Sequence, residues 1–156
     1  MMVIAVALLT GLVGAAVPAA AASADPPTLP KPFEMDDAVS GGSPSGGVCT
    51  TTIGNDATGC FVRYGDQWFV QAIDPDAAGG TSISWSNELY AGSSRGWVTY
   101  RHGTCYGWAG VGTWVHCNKD YYENTSENYF GYQGSRLRWT VCANYCSEER
   151  VTTNDQ

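Results

Sequence analysis

Six cysteines, none before residue 49, follow an apolar leader, and this combination sets the terms on which the chain can fold. The leader runs from Met1 to Ala24 without a charged residue and ends in Ala22-Ser23-Ala24, the small-residue pattern of a cleaved signal peptide. Export places the cysteines in an oxidising compartment, where six in a small chain form disulfides rather than a metal cage or a catalytic thiol. Subtracting residues 1–24 from 156 leaves a mature chain of about 132 residues. That length suits one domain, small enough for crosslinks to matter. Proximity pairs Cys49 with Cys60, Cys105 with Cys117 and Cys142 with Cys146, the last only if a turn lies between. A loop of about ten residues closed in this way stabilises the fold by roughly 2–3 kcal/mol.

The formal charge of −7 with only two lysines and six arginines, none clustered, argues against nucleic acid. It equally argues against an anionic membrane surface once the leader is removed. Residues 25–47 hold five of the seven prolines followed by two Ser/Gly-rich stretches, a composition that predicts a flexible, extended N-terminal arm ahead of a domain over 48–156. Leu29, Phe33, Met35 and Val39 punctuate this arm. Apolar anchors on an extended segment can dock in a partner's groove or add to a sheet edge.

From Val48 onward the pattern is β. Cys60–Tyr64 and Gln67–Ile73, rich in aromatic and β-branched residues around Gly65-Asp66, read as a hairpin. Ile83 and Trp85 alternate with Ser82 and Ser84. Leu137, Trp139 and Val141 alternate with Arg138 and Thr140, as in a strand with one wet face. Further strands are expected near 96–101 and 113–117, and no window holds a helical period. The fold class is therefore all-β, a compact antiparallel two-layer sandwich or small barrel with disulfides, preceded by the arm. Trp68, Trp85, Trp97 and Trp139 are the expected core. Trp108 and Trp114, set among Gly107, Gly110 and Gly112, are candidate binding rings suited to a partner's apolar surface or a sugar face, and Trp108 is the ring expected to be exposed.

Four constellations imitate chemistry. Gly92-Ser93-Ser94-Arg95-Gly96 has the spelling of a nucleophile elbow without the strand-turn-helix context. His102, Cys105, His116 and Cys117 have zinc-ligand chemistry, but His116 and Cys117 would face opposite sides of a strand and the cysteines are expected to be oxidised. Asp74 and Asp76 open a calcium-loop pattern that Ala78 and Trp85 then break. Asp120, Glu123 and Glu127 read as an exposed acidic loop rather than paired glycosidase carboxylates, and Asn124-Thr125-Ser126 is a glycosylation sequon. No catalytic residue, metal site or cofactor is assigned.

The run from Gly59 through Val70, with Trp85 and Gly112–Asn118, resembles a group of small secreted proteins of streptomycetes and their relatives, over roughly residues 48–146. In size, export, β-rich body and projecting arm, the chain is also similar to the small adaptor of streptomycete umbrella toxin particles, which links lectin subunits to a repeat-containing toxin subunit. The resemblance implies a secreted, non-catalytic scaffolding role with a lectin and a toxin subunit as partners. Two other classes remain open on the residues themselves. One is a carbohydrate-binding module using exposed aromatics; the other is a protease inhibitor presenting Arg95 or Arg101.

Overall fold

The computed structural model describes residues 29–77 and 80–155, so the expected signal peptide over 1–24 lies outside the described residues. Ten strands form two five-stranded sheets. They are β1 (Glu34–Asp37), β2 (Val39–Ser40), β3 (Val48–Thr51), β4 (Ala57–Val62), β5 (Gln67–Ala72), β6 (Thr81–Tyr90), β7 (Trp97–Gly107), β8 (Val115–Asn118), β9 (Ser135–Cys142) and β10 (Arg150–Thr153). Sheet A has the order β1-β7-β6-β9-β10 and sheet B the order β2-β8-β5-β4-β3. Every pairing is antiparallel except β1 on β7. The expected hairpin is β4–β5, closed by the four residues Arg63–Asp66, with Gly65 and Asp66 both at positive φ.

Strict alternation builds the core. Along β6 Thr81, Ile83, Trp85, Asn87 and Leu89 point inward, and along β9 Ser135, Leu137, Trp139 and Val141 do the same. Sheet B answers with Phe61, Trp68, Val70 and Val115. Trp68 meets Trp139 edge-on at 5.3 Å between centroids and packs on Phe61 at 4.5 Å. Two of the three buried indoles find partners, Trp68 Nε1 donating to Tyr121 Oη at 3.0 Å and Trp139 Nε1 to Thr152 Oγ1 at 3.2 Å, while Trp85 Nε1 has none among the described residues. Such pairing removes the cost of burying an unpartnered N–H. Trp68, Trp85 and Trp139 are core as expected, whereas Trp97 is 37 % exposed. It stands opposite Tyr90 at the end of β7, on the outer face of sheet A, where no second sheet covers it.

All three disulfides pair as proximity suggested. Cys49 and Cys60 are direct cross-strand neighbours on β3 and β4, and Cys142–Cys146 closes a turn after β9. Cys105–Cys117 is different: it joins β7 of sheet A to β8 of sheet B inside the core. Three such bonds are what an oxidising environment permits.

The segment read as an arm is extended, and from Glu34 onward it is paired to the domain. β1 lies along β7, the chain switches sheets at Ala38, and β2 then lies along β8. One continuous strand thus covers the edge that the inter-sheet disulfide also closes. Residues 41–47 next carry the chain from β2 to β3, the opposite edge of sheet B, a span of about 19 Å at four strand spacings. The glycines make this crossing possible. A Cβ on Gly41 would run into the His116 ring, and Gly47, at φ +99°, sits against the Phe61 carbonyl. Proline and glycine content announced an extended backbone; that it straps its own sheet depended on the position of β8 and β4.

Candidate binding surface

An ion network fixes β1. Its inward residues are Glu34, opposite Gly103, and Asp36, opposite Cys105. Arg101 grips the Glu34 carboxylate with two parallel bonds, Nε–H to Oε1 at 2.6 Å and Nη2–H to Oε2 at 2.8 Å. Lys119 Nζ donates to Oε2 at 2.8 Å and also pairs with Asp36. Only 5 % of the Lys119 side chain is exposed, so its charge depends on these carboxylates. Burial raises the Glu34 pKa, but the hydrogen bonds and charges of Arg101 and Lys119 outweigh it and bring the group from 4.5 to about 2. The guanidinium of Arg101 and ammonium of Lys119 also lie 5.9 and 5.0 Å from the centroid of Trp85.

The outward side chains of the same segment are two apolar groups, Phe33 and Met35, followed by the exposed carboxylate of Asp37 opposite Tyr106. Phe33 is 53 % and Met35 68 % exposed, and Phe33 meets the His102 ring edge-on at 5.4 Å. At the far end of this face Trp108 is 65 % exposed, parallel to Tyr106 at 6.3 Å, with its six-membered ring against Gly80. The register therefore gathers Phe33, Met35 and Trp108 on the outer face of sheet A, around the hydroxyls of Ser82, Ser84 and Thr104. Val39 pairs with His116 on sheet B and is exposed, and half-buried Trp114 precedes β8, so these two belong to a separate patch. Leu29 is half-buried at the start of the described chain.

A second cluster occupies the end of the sandwich at the β6–β7 turn. Tyr100 is the extra residue of a β-bulge, since Arg101 pairs with Asn87 and Thr99 with Glu88. The bulge turns Tyr100 toward Tyr122 (5.7 Å) and Tyr129 (5.3 Å, stacked), with Lys31 Nζ 4.5 Å above its ring. The loop carrying Tyr121 and Tyr122 is held from the β4–β5 turn, where Asp66 Oδ2 accepts from Tyr121 N at 2.7 Å and the Asp66 carbonyl from Lys119 N at 3.0 Å. Burial, the largest influence, leaves the Asp66 carboxyl raised. Between these elements lies a cavity of about 400 Å³ lined by Lys31, Asn87, Tyr100, Arg101, Asp120, Tyr121 and Tyr122.

The imitations of chemistry resolve as follows. Gly92–Gly96 is the turn between two antiparallel strands. Cys105 and Cys117 are bonded to each other, and His102 lies on the outer face of sheet A while Cys105 points inward. Asn124 Oδ1 accepts from Ser135 N at 3.2 Å beside exposed Thr125 and Ser126. Arg101, committed to Glu34, cannot be the presented side chain of an inhibitor loop. The sequence reading missed Glu34, Lys119 and Asn87. Asn87 had a legible signal, an amide side chain between Trp85 and Leu89 on the inward register of β6.

The molecule is thus a disulfide-bridged, two-sheet β protein whose segment Phe33–Asp37 is clamped by an ion network on one side and presents Phe33, Met35 and Asp37 on the other. No family model, no curated protein and no solved structure matches the chain.

Proposed function

We propose that this protein is a non-catalytic, secreted adaptor module that takes a protein partner along β1 and the adjoining outer face of sheet A. The observation that carries the reading is the two-sidedness of β1. Glu34 and Asp36 anchor it, while Met35 and the preceding Phe33 face solvent, and among the described residues no strand of sheet A lies beyond it. A clamped edge strand lets a partner add a strand or bury apolar anchors with little ordering cost. The resemblance to the umbrella-particle adaptor gives the finer form of the proposal, in which one partner is a lectin and another a repeat-containing toxin subunit of an antibacterial particle. Deleting the whole arm would strip Lys119 and Arg101 of their counter-charge, so the test is a Phe33→Ser/Met35→Ser double variant. Tagged wild type should recover a defined partner from culture supernatant, identified by mass spectrometry, and the double variant should lose it at unchanged melting temperature. Equal recovery by both proteins refutes the proposal.

One observation favours carbohydrate as a second reading. The Trp108 ring, backed by Gly80 and flanked by Tyr106, has the form of a platform for the apolar face of a sugar. Loss of polysaccharide retention on Trp108→Ala, with retention unchanged in the Phe33/Met35 variant, would select it.

A further inference from the structure

The cavity at the β6–β7 end carries a feature that the adaptor reading does not use. Asn87 is fully buried, and its amide is held by Nδ2 donating to Ser135 Oγ at 3.0 Å and to the Arg136 carbonyl at 3.4 Å. Its Oδ1 has no protein partner among the described residues, and Asn87 is one of the residues that line the cavity. A buried acceptor of this kind destabilises the fold unless something donates to it.

We propose that this cavity is a binding site for one residue of a neutral saccharide. Its volume, about 400 Å³, lies within the range of roughly 300–1,000 Å³ usual for small-molecule sites. The residues that line it are of mixed polarity: Asp120 carries acceptors, Lys31 carries donors, and Asn87 carries both. The Arg101 guanidinium is already neutralised by Glu34, so the remaining charges, Lys31 and Asp120, cancel. An anion would face Asp120, and a cation would face Lys31. Hydroxyl groups, each donor and acceptor, satisfy both sets at once. Tyr100 and Tyr122, edge to face at 5.7 Å, supply aromatic surface for the C–H faces of a pyranose. The site stands apart from β1 and does not depend on the protein-partner reading.

The test is NMR titration of the full mature protein with the methyl glycosides of neutral hexoses and N-acetylhexosamines, to about 10 mM, the regime of single-sugar affinities weaker than about −4 kcal/mol. The Asn87 side-chain amide resonances should shift saturably with at least one glycoside. Tyr122→Ala should weaken that binding at least about tenfold, a change equivalent to about 1.4 kcal/mol. Asp120→Ala, a change at an exposed side chain, should weaken it likewise, and Tyr145→Ala, at an exposed side chain in the Cys142–Cys146 turn at the other end of β6 from Asn87, should not alter it. A cavity filled only by water leaves the Asn87 amide unmoved across the panel, which overturns the proposal. So does binding that survives both pocket substitutions, or tighter binding of a sugar acid than of its neutral counterpart.

Discussion

Replacing Glu34 by Gln keeps the shape of the side chain and removes the charge that Arg101 and Lys119 share. The lowering of its carboxyl from 4.5 to about 2 corresponds, taken whole, to about 3.4 kcal/mol at about 1.36 kcal/mol per pH unit. The side chain is 26 % exposed, and solvent screening there reduces the expected contribution to about 2 kcal/mol. For a domain of this size that loss lowers the melting temperature by about 7 °C. The sign with pH follows from a depressed folded-state value. The stabilisation is complete above 4.5 and is lost as pH falls through about 2, because the unfolded chain takes up the proton first. Calorimetry under non-reducing conditions should therefore show the full gap between wild type and Glu34→Gln at pH 7 and roughly two-fifths of it at pH 3. A variant that melts with the wild type at pH 7, or a gap of equal size at both pH values, would refute the clamp and with it the pre-organisation of β1.

Two further outcomes follow from the core. A Cβ on Gly59 would overlap Val141 and come within 2.9 Å of Ile83 Cδ1, so Gly59→Ala should destabilise by about 2–3 kcal/mol through overpacking, read as a drop in urea midpoint; an unchanged midpoint would mean that the two sheets can part at that point. Removing the inter-sheet bond as Cys105→Ala/Cys117→Ala opens a loop of sequence separation 12 and should cost about 3 kcal/mol, seen as a melting temperature about 10 °C lower.

The residues alone determined the class and much of the interior. Alternation over Ile83–Trp85 and Leu137–Val141 specified which side chains face inward, because a strand has period 2 whatever it pairs with. Short sequence separation likewise selected the cysteine pairs. Only the assembled sheets decided which outward faces are covered, and these are matters of distant partners. Trp97 has the same chemistry as Trp85, yet it stands on an outer face. Residues 34–47 read as an unattached arm because nothing local says that Gly103 leaves room for Glu34 or that Gly41 can cross His116. The cavity over Asn87 exists because a bulge turns Tyr100, Asp66 holds the Tyr121 loop and Arg101 is drawn to Glu34. The last two of these contacts join residues 55 and 67 positions apart in the chain, separations at which local sequence carries no information about distance in space.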